Sequence, residues 1–174
     1  MTDIDPLRGD CSRCFGLCCV ALGFDRGPLF AFDKPAGEPC PNLTQQGRCA
    51  VHERLAAAGM TGCARYDCLG AGQLATEMFA AVDRTLPRNA RVIGLAFARL
   101  VQIQTMRLLI RRTRPAGATE LAMRLEAATR DYKALALLDL AAARRDLAAA
   151  VREGERPGIV PGLEADQDLE AIAP

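Results

Sequence analysis

Beyond Cys68 the chain has neither cysteine nor histidine, although residues 69–174 are more than half of its length. All eight cysteines fall between Cys11 and Cys68, and the single histidine, His52, falls among them. With one histidine, acid–base chemistry near neutral pH has few players. Paired carboxylates, a nucleophile set beside a base, and a glycine-rich phosphate loop on a strand-to-helix turn are missing as well. No catalytic constellation is visible. Charge of one sign is also lacking. The formal net charge is +1, with seven basic and eight acidic residues before Gly70 and fifteen and thirteen after it. That balance gives no reason to expect nucleic acid or an anionic membrane as a partner.

The opening Met1-Thr2-Asp3-Ile4-Asp5-Pro6 is acidic and lacks the apolar region of a secretory signal. The longest apolar stretch of the second half, Val92 to Ile110, is interrupted by Arg99 and Arg107 with Gln102 and Gln104 between them. It reads as a buried helix and not as a membrane span. A cytoplasmic location is expected. In that reducing compartment, clustered cysteines are metal ligands or redox thiols before they are structural disulfides.

Residues 11–48 are cut every few positions by Pro28, Pro35, Pro39 and Pro41, and show little helical periodicity. Leu29-Phe30-Ala31-Phe32 is the one candidate for a short extended piece, its two phenylalanines forming a small satellite core. Such a segment cannot hold a fold by burial alone, because ordering costs about 1–2 kcal/mol per residue. It needs a staple. Ala50 to Ala58 reads as a short helix stopped by Gly59, and Met60 to Cys68 as loop. Gly70-Ala71-Gly72 is a hinge.

The second half is helical. Leu74, Met78, Phe79 and Val82 share a face, and Pro87 opens a long helix over roughly 88–112 whose wet stripe is Arg91, Arg99 and Gln102. Thr119 is the expected N-cap of a further helix with a seam of Leu121, Leu125, Ala128, Tyr132 and Leu135. The stripe changes at Asp139 to Leu140, Leu147 and Val151, which predicts a bend there. The basic run Arg107, Arg111, Arg112, Arg114 suits the C-terminal end of a helix dipole. After Pro157 the composition turns to Gly, Pro and acid. The expected fold is mainly α: an irregular Cys-rich metal-binding head (1–70) packed on a three- to four-helix bundle (71–156), with a disordered acidic tail (157–174).

Cys11-x2-Cys14 lets two thiolates reach one metal from a tight turn, and Gly16 gives the backbone room to fold around it. Cys18 or Cys19 supplies a third ligand, and neighbours in sequence point apart, so the other can serve a second site or pack as a buried thiol. Cys40, Cys49, Cys63 and Cys68 provide a further set. His52, three residues after Cys49, is within reach of that set but reads first as a solvent-facing helix residue. The candidate metal ligands are therefore Cys11, Cys14, Cys18, Cys19, Cys40, Cys49, Cys63 and Cys68. Their spacing decides neither zinc nor iron–sulfur. A zinc ribbon has two Cys-x2-Cys knuckles and this chain has one; a bacterial ferredoxin run has three x2 gaps and a following proline.

The run Cys11-x2-Cys14-x3-Cys18-Cys19, then Pro39-Cys40-Pro41-Asn42-Leu43, Gly47-Arg48-Cys49-Ala50-Val51-His52 and Gly62-Cys63, resembles the YkgJ-type cysteine-cluster family, regarded as zinc or iron chelators. Flagellin lysine methylases carry a related head and are described as iron–sulfur proteins. Cys14-Phe15-Gly16-Leu17-Cys18-Cys19-Val20-Ala21, Phe32-Asp33-Lys34 and Tyr66-Asp67-Cys68-Leu69-Gly70-Ala71-Gly72-Gln73 resemble more closely the Cys-rich N-terminal region of some actinobacterial pentapeptide-repeat proteins. The resemblance covers about residues 8–73. It departs from the YkgJ-type pattern in its x3 second gap, and no pentapeptide repeat follows.

The function expected is that of a cytosolic metal-binding protein with a cysteine-ligated centre. An iron–sulfur cluster is set ahead of Zn2+, because eight cysteines exceed what one structural zinc needs. Redox work, sensing or maturation of a protein partner would be its use. The alternatives are an interaction module whose metal only stabilises the fold, and an enzyme acting through the cluster.

Overall fold

The structure, a computed structural model, describes residues 5–154. Among these it is mainly helical and has no strand, only three isolated β-bridges. Single 3-10 turns at Cys11–Arg13 and His52–Arg54 accompany α1 (Cys18–Ala21), α2 (Thr61–Arg65), α3 (Ala71–Met78), α4 (Pro87–Thr113), α5 (Thr119–Arg130), α6 (Tyr132–Leu137) and α7 (Leu140–Gly154). The mainly-α expectation is met. The acidic tail at 157–174 lies outside the described residues.

Helix α4 is the axis on which the others pack. Pro87 sits in its first turn, where the missing N–H costs nothing. Arg114 ends it in a left-handed conformation, its N–H bonded to the Ile110 carbonyl at 2.8 Å. Ile93, Ala96, Phe97, Leu100, Ile103 and Met106 recur at three- and four-residue steps and are buried beneath α3, α5, α6 and α7. Each large apolar side chain in such a stripe contributes roughly 1.5–3 kcal/mol on leaving water. By length and composition alone α4 would also qualify to cross a bilayer.

The wet stripe is not where Arg91, Arg99 and Gln102 place it, because Val92, Leu95 and Ala98 are exposed while Arg99 and Gln102 are not. Arg99 is half-buried and donates through Nε and Nη2 to the Leu135 carbonyl at 3.2 and 2.9 Å, and through Nη2 to the Leu138 carbonyl. It thereby satisfies the last turn of α6, which a helix cannot do for itself. The basic run at the end of α4 is partly spoken for. Arg107 pairs with Glu126 and donates to Gln104 Oε1, and Arg111 meets Asp5 at 2.7 Å.

The segment after Thr119 breaks twice. Leu121, Leu125, Ala128 and Leu135 are buried as the seam requires, but Tyr132 is exposed and lies edge-on to Phe79. Thr119 is the first helical residue and Ala118 precedes it as the cap position. The bend at Asp139 is present, where Asp139 Oδ1 accepts the Ala142 N–H at 2.9 Å. The additional break is at Asp131, which is extended and caps α6 by accepting the Ala134 N–H at 2.8 Å. An Asp ahead of an apolar run is a start signal as well as a surface residue. Asp131→Ala is expected to cost about 1 kcal/mol in a denaturant titration, within the range of about 0.5–2 kcal/mol for a lost N-cap.

The first 70 residues depart further from expectation. Residues 50–58 do not form a continuous helix. Cys49 is held by its bridge to Leu43, and the chain then passes through the turn at His52–Arg54 to Gly59. Gly59 has φ +70°, as its role as a stop requires. An isolated segment this short cannot offset the cost of helix nucleation. Residues 60–68 are not all loop, because α2 carries Cys63.

Two buried glutamines tie these residues to the helices. Gln73 Oε1 accepts the Asp10 N–H at 2.9 Å and its Nε2 donates to the Arg8 carbonyl at 3.0 Å. Gln104, fully buried on α4, donates from Nε2 to the Pro6 and Leu69 carbonyls at 2.9 and 2.6 Å. Gln104→Met keeps the volume but strips both acceptors of their donor. The expected loss is about 1–3 kcal/mol for each carbonyl left dry, read as a lower denaturation midpoint.

Candidate metal centre

The eight cysteines are delivered by four short pieces of chain. Asp10 caps the first turn by accepting the Ser12 N–H at 2.9 Å, which fixes Cys11 and places Cys14 directly after it. Gly16, at φ +70°, reverses the chain into α1 with Cys18 and Cys19. Here glycine is required. A Cβ on Gly16 would lie 2.9 Å from the Gly47 carbonyl oxygen, and one on Gly47 would lie 2.9 Å from that of Phe15. The two backbones therefore touch, and the Cys14–Cys18 turn sits on the loop holding Cys40 and Cys49. That loop is fixed by the Cys40 N–H to the Cys19 carbonyl at 2.8 Å and by Arg48 Nη1 to the Cys11 carbonyl at 2.7 Å. All eight are free thiols; Cys40 is buried, Cys11 exposed and the rest between.

Cys14 and Cys68 converge on Gly72, in the first turn of α3. A Cβ there would be 2.7 Å from Cys14 Sγ and 3.5 Å from Cys68 Sγ, so the space that a side chain would fill is shared by two sulfurs. The backbone N–H groups of Gly72 and Gly70 act on Cys68 in the direction that favours its thiolate. To present those donors the chain takes left-handed backbone at two successive residues, Leu69 (φ 52°) and Gly70 (φ 85°). For leucine this is strained, on the order of 1–3 kcal/mol. Asp67 Oδ1 supports it by accepting the Leu69 N–H at 2.7 Å, together with the Gly9 N–H at 2.8 Å.

The electrostatics around this group run against free thiolates. Burial pushes the Cys11 thiol up to about 11, and the charges of Cys18, Cys68 and Cys14 push in the same direction. Burial also raises Cys68, the Gly72 and Gly70 N–H groups pull it down, and Cys14 and Cys18 raise it again. Cys18 is raised most, by its hydrogen bond with the Cys19 thiol and then by burial. With no cation beside them, Cys11, Cys18 and Cys68 are therefore held as neutral thiols near neutral pH.

Cys63 is carried by α2. Its thiol is pushed up to about 11 by burial and then by Cys18, Cys40 and Cys49, with Lys34 acting in the opposite direction. Lys34 is almost completely buried and donates from Nζ to the carbonyls of Val20, Pro35 and Glu38 at 3.2, 3.0 and 2.7 Å. Phe30 closes over Gly62, stacks on Phe24 at 4.3 Å between centroids, and Phe32 tilts against the same ring. The small aromatic cluster expected of Phe30 and Phe32 is there, with Phe24 as its centre.

Among the described residues, no group of three or more His, Cys, Asp or Glu side chains is arranged to hold a metal ion as it stands. The sulfurs meet in pairs, Cys14 with Cys68 and Cys18 with Cys19. His52 is exposed, and with Cys49, Ala50, Glu53 and Arg54 it lines an open hollow of about 320 Å³. The sequence names Lys34, Gly72 and Gln73 only inside longer motifs and Gln104 only as a break in an apolar stretch, and gives none of them a structural role. Their roles depend on what folds against them, and only the glycine pair around the hinge hinted at a close approach.

A curated relative, the uncharacterized protein YybG of Bacillus subtilis (strain 168), is 40% identical over 102 residues. That match takes in 58% of this chain and 37% of the relative, so the chain spans little more than a third of that protein's length. No family model matches the chain, and no solved structure does.

Proposed function

We propose that this is a cytoplasmic metal-binding protein in which Cys11, Cys14, Cys18, Cys19, Cys40, Cys49, Cys63 and Cys68 ligate an iron–sulfur cluster in preference to Zn2+, and that it works in redox chemistry, sensing or maturation of a protein partner. In this reading residues 1–70 are a metal-binding head seated on a bundle built around α4, with neither nucleic acid nor a membrane as partner. The observation that carries it is the cradle at Gly72. A position without a side chain admits two sulfurs, and the backbone N–H groups of Gly70 and Gly72 favour the thiolate of one of them. Hydrogen bonds of that kind favour a thiolate over a thiol. The resemblance of the cysteine run to YkgJ-type proteins supports the same reading.

When bound, an iron–sulfur cluster supplies one-electron redox chemistry, whereas Zn2+ supplies a redox-silent cross-link. The chain's own contribution is to set the ligands. Gly16 and Gly47 bring two cysteine-bearing loops into contact, the Leu69–Gly70 turn aims Cys68, and Gln73 and Gln104 fix the assembly to α3 and α4. Gathering the sulfurs onto a metal requires turning cysteine side chains about Cα–Cβ, which the partial exposure of all but Cys40 permits.

A second reading, an interaction module whose metal only holds the fold, has its own support. Of residues 5–68, the buried apolar side chains are Leu7, Cys40, Val51 and Met60. So small a core cannot offset the entropy of ordering those residues. An absorption spectrum of anaerobically purified protein, with iron, sulfide and zinc analysis, separates the two. Visible sulfide-to-iron charge-transfer bands with iron and acid-labile sulfide are expected. A colourless protein with stoichiometric zinc would replace the cluster by the second reading.

A further inference from the structure

We infer that the hollow between α4 and α6 is a docking groove for this chain's own acidic segment, residues 163–172. The segment seats aliphatic side chains in the hollow and sets its carboxylates against the cations of the rim. This is independent of the metal-binding reading above.

Helix α4 carries more apolar surface than its neighbours cover. Only 39% of its most apolar 18-residue window is buried, although α3, α5, α6 and α7 pack on it. Val92, Leu95 and Arg99 of α4 and Tyr132, Leu135 and Ala136 on α6 line an open hollow of about 200 Å³. Val92, Leu95 and Tyr132 are exposed there, Leu95 at 60%. Small-molecule pockets run to about 300–1,000 Å³ and enclose most of their ligand. This hollow is too small and too open for that. It suits single side chains of a segment lying across it.

The rim selects the charge of the occupant. Arg88 lies one turn before Val92, Arg91 one turn before Leu95, and Lys133 three residues before Ala136, so all three adjoin the hollow. They are exposed and form no ion pair among the described residues. Neither does Arg99, whose donors go to the carbonyls of α6. The acids flanking these stretches, Asp83, Asp131 and Asp139, spend their carboxylates on the Thr85, Ala134 and Ala142 N–H groups. An acidic occupant is therefore complementary in sign. Residues 163–172 have that chemistry, with Leu163, Leu169 and Ile172 set among Glu164, Asp166, Asp168 and Glu170 and no base. They are also within reach. The Leu138 carbonyl is bonded to Arg99, and α7 begins two residues later and runs 15 residues, roughly 22 Å. Leu169 lies 15 residues beyond Gly154, a stretch able to span about 50 Å. So short a tether holds the segment at about millimolar effective concentration, so a small contact suffices.

The test puts the photoreactive residue p-benzoylphenylalanine in place of Leu169 in the full-length chain, where it alters no residue of the hollow. Light and heavy-isotope chains are mixed in equal amounts and irradiated at low concentration, and the cross-linked peptides are sequenced by mass spectrometry. Cross-links within one chain, to residues 88–99 and 132–137, are expected. Their yield should fall several-fold in Arg88→Glu/Arg91→Glu and likewise in Leu95→Asp. Mixed-isotope cross-links would make a second copy the occupant and overturn the inference. Cross-links scattered over other elements, or none, overturn it as well. A yield unchanged by the charge reversal overturns the pairing of carboxylates with the rim on which the choice of segment rests. If a variant loses its helical circular dichroism, raising NaCl to about 0.5 M on the probe-bearing chain applies the same criterion, because exposed charges are then screened.

Discussion

Chelating the metal from the full-length chain is expected to melt residues 11–68 while α4, α5 and α7 stay helical. The two parts are held by different forces. The helices bury Phe97, Leu100, Ile103, Leu125, Leu135 and Leu147, each at most 5% exposed, in one continuous core. The cysteine-bearing segment 11–68 buries three apolar side chains, Cys40, Val51 and Met60, and is otherwise turns, bridges and single helical turns. Structural zinc in small cysteine sites is worth about 10–16 kcal/mol of apparent binding free energy near neutral pH, and in such sites that is folding free energy. Hydrogen exchange read before and after a chelator checks it. Protection should vanish at the Cys19–Cys40, Phe24–Lys34 and Leu43–Cys49 backbone contacts and persist along α4. Unchanged protection in both parts would mean that burial and the glutamine ties suffice.

Gly72→Ala should separate folding from binding. Alanine is about 0.8–1.0 kcal/mol better than glycine inside a helix, so α3 has no propensity reason to object. The added Cβ would stand 2.7 Å from Cys14 Sγ, closer than such atoms approach, and the cysteine side chain is the part able to yield. It would swing its sulfur out of the space shared with Cys68. The expected variant is folded, no less heat-stable in its helical part, and short of the metal held by Cys14 and Cys68. Thermal unfolding and metal analysis on the same preparation report the two effects separately. A Gly72→Ala protein with full metal content would show that Cys14 and Cys68 do not meet over α3.

The helical half was the more legible one, for a physical reason. Periodicity is repeated evidence, and α4 shows it over 27 residues, so its ends were placed within one residue. The break at Asp131 was missed because an apolar seam runs through it, while the deciding interaction is one carboxylate on one N–H. The cysteine-bearing half offers no such repetition. There, spacing identified which residues carry chemistry, but not that Cys14 meets Cys68, fifty-four positions away, or that Lys34 is enclosed. Those pairings are set by loop crossings at Gly16 and Gly47 and by the strained Leu69–Gly70 turn, where a few long-range hydrogen bonds decide and no pattern repeats. The short helix expected at 50–58 failed for the same reason that α2 was overlooked: at that length, local preference is weaker than one tertiary contact.

The most direct measurement is the metal content of the chain purified anaerobically without added metal, with its reactive thiols counted on the same sample. Tightly held metal that survives gel filtration, with most of the eight thiols unreactive until the metal is removed, is the predicted result. A folded, metal-free chain with all eight thiols open to titration would contradict the account.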